Sequence, residues 1–440
     1  GEGRFVVIRG LDAAFNSVSV DGVAIGTPED SSRAAPLDVI PSESTERLTV
    51  VKAPTPDMPG DAIGGAILVE SASAFDREGR NIRARAEMSH QTLSGETSPK
   101  GAFNYSDIFA DGTFGVALGV SYQDRTYESD NIEVEYDKVD EREGLTPIEI
   151  QQRKYSINRE RTGLNLNLDW RPGQGNSYYL RTLYTDFTDA ETRQNSIIPV
   201  GEGDITTNAD GSYSVDGIDP NDFSRRVRFR TKEEDTFTVS AGGENRFGTG
   251  SAVDYKVGFT KTRERVLDEV EARFEYEGDD DVSILMDTSR PIPRYVISDA
   301  PAGGWLDNDN YAFNRFVVAP IWVDDEEYSA QVNFTFAGDL VTWKTGLLGR
   351  WRDRDVNIDE HELRRGPDIN LGSWTTGSPS YTHGNMGDGI SSSAMNGYLR
   401  DRLSEYSARP QDEAANTEVS LIEDYVASED ILAGYLMATM

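Results

Sequence analysis

Carboxylates are the side chains best supplied for chemistry in this 440-residue chain, with 77 acidic residues against 43 basic ones. Three runs concentrate them, DGIDPND (216–222), EGDDD (277–281) and DNDN (307–310), and such runs offer the hard oxygen ligands that calcium takes. None has Gly at the sixth and Glu at the twelfth position in register, so solvated acidic loops are expected and no metal site is assigned. The imidazoles are His90, His361 and His383, and no two are spaced as ligands on one helix face. Cysteine is absent, which removes thiol nucleophiles, disulfides and Cys-based zinc sites. No nucleophile or convergent acid pair can be read, so a hydrolase on a β scaffold is the weaker rival and the chain is not expected to be an enzyme.

Aromatic residues in the polar stretches offer binding rather than bond-breaking. Trp305, Tyr311, Trp374 and Tyr381 could stack on sugar rings while neighbouring Asp and Asn accept hydroxyl hydrogen bonds. Packing within loops explains the same residues and is the expected role. The net charge of −34 disfavours a nucleic-acid partner. With 37% apolar residues the chain can bury a sizeable core, and its length alone fits two or three domains. No apolar run approaches the roughly 18 residues of a membrane helix, which leaves a β-barrel open.

The elements that must position these groups divide at one stretch, Ile40 to Asp76. Within it Arg47–Lys52 (RLTVVK) and Ala66–Glu70 (AILVE) read as strands. Between them Pro54, Pro56, Pro59, Gly60, Gly64 and Gly65 impose an extended loop. Paired glycines before a strand imply positive φ or close backbone approach. Upstream, Phe5–Ile8 reads as a strand ending at Arg9-Gly10, and Ser17–Val20 as one ending in the Asp21-Gly22 turn. A polar loop over 24–36 follows. These pieces make a small mixed α/β unit of roughly 75 residues.

From Asn81 the period becomes two. Phe114, Val116, Leu118, Val120 and Tyr122 alternate with small or polar residues, as do segments beginning at Val253, Leu164 and Tyr328. Strands are expected at roughly 83–93, 100–109, 114–127, 162–171, 177–188, 228–246, 252–266, 323–336, 341–356 and from near 430. Tight turns at 110–112, 172–176, 247–251 and 338–339 alternate with long polar stretches at about 126–160, 190–225, 265–322 and 355–422. Segregated loop lengths of this kind describe an up-and-down transmembrane barrel. Tyr122, Trp170, Trp343 and Trp351 are expected on its lipid-facing wall or aromatic girdle.

In chain order, RFVVIRG (4–10), SVSVDGV (17–23), STERLTVVKAPTPDMPGDAIGGAILVESASAFD (44–76) and EDYVASEDILAGYLM (423–437) resemble a TonB-dependent outer-membrane receptor. The PTPDMPGDAIGG wording is similar to the Caulobacter and Xanthomonas subgroup. The resemblance implies a mostly β fold, with the C-terminal part of a plug domain at 1–76. It also implies the first strands of a large antiparallel barrel at 77–440, about 22 strands when complete. It implies an internal fragment, beginning at Gly1 within a strand pattern, with the signal peptide and TonB box lying outside it.

By motif, Arg9-Gly10 corresponds to the plug's IRG turn and Asp21-Gly22 to its VDG turn. Glu46 opens the strand the family writes as ER-x-E-V-x-K-G, with Ala53 where many relatives carry Gly, and Gly64-Gly65 match the GG before the last plug strand. All are expected to be architectural. The implied activity is import across the outer membrane without cofactor or covalent chemistry, with TonB as partner and lipid and lipopolysaccharide as surroundings. Divalent cations bridging the lipopolysaccharide would screen the acidic loops. An oligosaccharide is the expected cargo and a ferric siderophore the alternative; a passive porin or adhesin barrel is the further one. Candidate cargo contacts are Glu29, Asp30 and Arg33 in one plug loop, Asp57 in a second loop taken as the plug apex, and Trp305 in an outer loop.

Overall fold

The computed structural model describes the chain apart from residues 1–3, 39 and 249, so the first residues of the expected opening strand pattern lie outside the described ones. Strands β1 (Asn16–Val20) and β2 (Val23–Ala24) close over Asp21 and Gly22, whose φ values of 49° and 74° are those a two-residue type I′ turn requires. Arg9 and Gly10 repeat the sign pair at 54° and 77°, with Ile8 bridging Leu11. The strand expected over Phe5–Ile8 does not form. Its backbone finds other partners, since Asn16 Nδ2 donates to the Val6 carbonyl at 2.7 Å and Leu37 N to the Arg4 carbonyl at 2.8 Å.

Strands β3 (Thr45–Val51) and β4 (Gly65–Ser71) complete a small sheet of order β2-β1-β4-β3, in which β4 runs parallel to β1 and antiparallel to β3. The paired glycines serve close approach. A Cβ on Gly64 would lie 2.2 Å from Asn16 Oδ1, and one on Gly65 2.8 Å from the Val51 carbonyl. Val18, Val20, Ile67 and Val69 alternate inward with Ile8 and Ile25, and Leu183 from the following wall joins their core. Among the described residues of this unit the helical pieces are short 3₁₀ turns, so its expected α component is absent there.

The wall begins with β5 (Asn81–His90), β6 (Thr97–Phe109), β7 (Phe114–Lys138), β8 (Leu145–Gly173) and β9 (Asn176–Ile198). After a loop carrying β10 (Asp204–Thr207) and β11 (Tyr213–Ile218) come β12 (Ser224–Phe247) and β13 (Ser251–Val266). The next connection holds β14 (Val270–Tyr276), β15 (Val282–Asp287), β16 (Arg294–Ser298) and β17 (Tyr311–Val318). Strands β18 (Ile321–Ala337) and β19 (Thr342–Ile358) follow. The last connection contains β20 (His361–Leu363), β21 (Thr375–Thr376), β22 (Gly389–Ile390) and helices α1 (Ser392–Arg402) and α2 (Glu413–Ile422), before β23 (Tyr425–Thr439).

The wall runs β23-β19-β18-β13-β12-β9-β8-β7-β6-β5, antiparallel throughout, and its two ends do not pair with each other among the described residues. All ten expected strands are present in the expected order. The long loop expected at 126–160 is instead mostly ladder, with β7 and β8 paired up to Lys138↔Leu145. Ile132, Val134 and Tyr136 continue the period-two pattern there, and Lys154 reaches across to Glu128 at 2.8 Å.

The two faces of the wall are inverted relative to a soluble sheet. Leu164, Trp170, Phe237, Val257, Tyr328 and Trp343 are exposed, while Asn165, Asn167, Asp169, Thr238, Thr260 and Asn333 are buried. Apolar-out and polar-in alternation is what lipid on one side and a filled lumen on the other demand. No helix is long and apolar enough to cross a membrane. The small sheet touches wall strands from β6, through Lys100–Glu43 at 2.5 Å, to β23, through Arg33–Glu429 at 3.5 Å. Laid flat, those strands would span about 38 Å at normal strand spacing, so the wall must curl around the unit it holds.

Candidate functional site

Strand β19 places Arg350, Arg352 and Arg354 on one face by period two, opposite Glu327 and Asp325 of β18. Arg350 forms a two-pronged pair with Glu327 at 3.0 and 2.7 Å. Arg354 donates to Asp325 Oδ2 at 2.9 Å and to the Thr27 carbonyl at 2.7 Å, and also reaches the Glu29 carbonyl. Tyr425, the first residue of β23, accepts a hydrogen bond from Arg354 Nε at 2.7 Å and donates to the Asp30 carbonyl at 3.2 Å. The plug loop is thus held in part by its backbone, and Asp30, Ser31, Ser32 and Arg33 line a cavity of about 360 Å³ with Arg352, Arg354, Tyr425 and Glu429.

Beneath this loop lies a buried ion cluster. Glu29 accepts from Arg4 at 2.6 Å and from Lys232 at 3.2 Å, and Lys232 also meets Glu234 and Glu264, each at 2.6 Å. Burial alone would raise the Glu29 carboxyl, but the Lys232 and Arg4 cations outweigh it and hold the group below its ordinary value. Oxygens of Glu29, Glu234 and Glu264 lie within 4.8 Å of one another, a spacing that suits a metal ion. The Lys232 ammonium supplies the positive charge there.

The two candidate plug loops part company. Arg354 and Tyr425 border the long connection over 359–424, so Glu29, Asp30 and Arg33 sit at the long-loop end of the wall. Asp57 instead pairs at 2.6 Å with Lys344, just past the tight turn that opens β19. Asp61 pairs with Arg350 at 2.7 Å. The loop taken as the plug apex therefore lies toward the short-turn end, where it lines a separate cavity of about 260 Å³.

Trp305 is only 7% exposed. It packs beside Phe223, its backbone N donates to Asp299 at 2.9 Å and its carbonyl accepts from Tyr311 at 2.7 Å. Tyr311 and Trp374 are buried in the same outer-loop core, and the Tyr381 hydroxyl is spent on the Asn131 carbonyl at 2.6 Å. None of the three buried rings presents a face for stacking.

The turn motifs act as joints. Arg9 donates to the Ile63 carbonyl at 3.2 Å, and Asp21 accepts from Ser71 N and Oγ at 2.9 and 2.7 Å. The Gly22 carbonyl accepts from Lys256, and Glu46 pairs with Arg77. Arg352, Arg354, Asp325 and Lys232 were not singled out from sequence. The signal is charge concentrated within strand segments, in TKEED (231–235), DDEE (324–327) and RWRDRD (350–355).

Among solved structures, the chain is similar to BauA, the ferric preacinetobactin receptor of Acinetobacter baumannii, at 13% identity over 87% of this chain and 60% of that one, with a TM-score of 0.34. It is also similar to a ferric enterobactin receptor mutant (PfeA) of Pseudomonas aeruginosa, at 10% identity over 88% and 69%, with a TM-score of 0.32. For the siderophore receptor PiuA of A. baumannii the values are 12%, 84%, 56% and 0.30. The chain thus spans less than two thirds of the length of BauA and PiuA. No curated protein matches. Residues 1–66, the stretch that includes the small sheet up to the start of β4, match the family described as the TonB-dependent Receptor Plug Domain.

Proposed function

We propose that this chain forms the gate and part of the wall of an outer-membrane transporter that imports a ferric siderophore with energy delivered through TonB. The observation that carries the reading is the plug-family unit held by ion pairs against the polar face of a wall whose other face is apolar. Cargo settles on the 27–33 loop from the long-loop side, and TonB works on the plug from the other. For binding to help open the gate, cargo must favour one plug arrangement over the other by its own contacts.

A siderophore replaces the expected oligosaccharide as cargo because three of the four aromatic residues suited to sugar stacking, Trp305, Tyr311 and Trp374, are buried. The cavity over the plug loop is lined instead by Arg33, Arg352 and Arg354 against two carboxylates, Asp30 and Glu429, a cationic surplus that suits an anionic ligand. A strain lacking the gene should grow poorly under iron limitation and normally on oligosaccharides, with uptake lost when the proton gradient is collapsed. A phenotype on sugars alone would overturn the cargo, and uptake that survives collapse of the gradient would overturn energised import.

A further inference from the structure

A second basic surface lies apart from the cavity, on the upper part of the wall. Strand pairing places Arg153, Asn195, Arg226, Arg273 and Arg315 directly opposite one another across β8, β9, β12, β14 and β17. In a chain of net charge −34, four arginines in one cross-strand row require an explanation. The row faces inward. Strands β12 and β9 pair without a register shift from Ser224 to Asn245, so Arg226 shares the face of Lys232 and Glu234, which touch the plug's Glu29 and Arg4. Counted from the turn at Gly248, Arg226 lies well beyond the roughly 9–11 residues that cross a bilayer.

Arg153 has Glu133 at 2.5 Å, but the carboxylates beside the other three arginines are shared. Glu271 serves both Arg273 at 2.6 Å and Arg193 at 3.2 Å, and Glu362 serves both Arg315 at 2.9 Å and Arg364 at 2.8 Å. Arg226 forms no ion pair or hydrogen bond through its side chain among the described residues, and its buried Nε has no protein partner. Arg315 is pushed down to about 10 by burial and by Arg273 beside it. Like charges held in register at half-buried positions are destabilising unless an anion joins them.

We propose that Arg226, Arg273 and Arg315 form a binding site for a polyanion, a cargo that carries two or more carboxylate or other oxyanion groups. Neighbouring strands set the Cα atoms of successive arginines about 4.8 Å apart, and each side chain carries a planar fork that fits an oxyanion. The proposal rests on the transporter reading only in calling that ligand cargo. The shared chemistry belongs to two sources, an anionic iron complex and an acidic oligosaccharide.

The test is equilibrium binding of ferric citrate, trigalacturonate and neutral maltotriose to the full-length receptor in detergent, at two salt concentrations. The variants are Arg226→Gln alone and Arg226→Gln combined with Arg273→Gln and Arg315→Gln. Arg263→Gln, whose partner is Asp235 at 2.9 Å on the opposite face, controls for loss of charge. Wild type should bind at least one anionic probe, more weakly as salt rises, and the triple variant should bind it at least tenfold more weakly. Maltotriose binding and the Arg263→Gln protein should be unchanged, and the anionic probe that responds identifies the source. Heat-modifiable gel migration establishes that each variant is folded, and Arg226→Gln is expected to fold because it relieves like-charge repulsion. A folded triple variant that binds both anions as wild type does would overturn the site, as would a wild-type protein that binds neither. Binding needs no TonB, so uptake found to be independent of TonB would remove the transport reading and leave the site standing.

Discussion

Lys232 of the wall reaches Glu29 of the plug unit at 3.2 Å while holding Glu234 and Glu264 at 2.6 Å each, so one ammonium ties that unit to the wall across three carboxylates. Removing it leaves three close carboxylates facing Arg4 alone. Lys232→Met is expected to destabilise the folded protein by about 3–5 kcal/mol, the cost of breaking a buried pair by one partner. Denaturant titration of the purified protein checks this, and a loss below about 1 kcal/mol would contradict the arrangement.

Asp57 is anchored differently, near the surface. Burial would raise its carboxyl, but hydrogen bonds from Lys344 and Thr55 hold it below the ordinary value. A carboxyl depressed in the folded state contributes stability above its unfolded value, near 3.9, and that contribution fades as pH falls through the folded value. Asp57→Asn is therefore expected to speed hydrogen exchange in the 54–64 loop at pH 7, by less than about 1 kcal/mol of protection. The difference between wild type and variant should shrink as pH falls below about 3.9, and an equal difference on both sides of that value would refute the anchor.

Val257 lies on the exposed apolar face of β13, past the middle of the roughly 9–11 residues that a strand needs to cross a bilayer from the turn that precedes it. If that face meets lipid, Val257→Arg should cost about 2–4 kcal/mol of folding into bilayers. Refolding into lipid vesicles across a urea series measures the cost. A neutral result would place the face in water.

Trp305 packs against Phe223 beneath the outer loops. Trp305→Ala is expected to cost about 3–5 kcal/mol, seen in thermal melting of the loop region, while Trp305→Phe retains most of that stability. Cargo affinity should follow the stability of the loops. A tenfold loss of binding in a Trp305→Phe protein of normal stability would restore the ring as a ligand platform.

Much of the architecture was legible from local pattern. Alternation at Phe114–Tyr122 or Tyr328–Phe336 reports which side chains share a face, because a strand turns each successive Cβ over whatever it packs against. The pairs Asp21-Gly22 and Arg9-Gly10 report turns because their own backbone must reach positive φ. Polarity at 126–160 misled, since charged cross-strand pairs extend a ladder as well as a loop can be solvated. Phe5–Ile8 misled in the other direction, because a short β-branched run makes a strand only where a partner edge is free.

By itself the sequence determined the strands, their tight turns and the apolar and polar faces of the wall, all properties of residues near one another along the chain. Only the tertiary structure decided that the Asp57 loop docks low against Lys344, that Trp305, Tyr311 and Trp374 are core, and that Arg226, Arg273 and Arg315 line up. Those three arginines come from strands far apart in the chain, and it is register between strands, set by packing and long-range hydrogen bonding, that sums their charge into one surface.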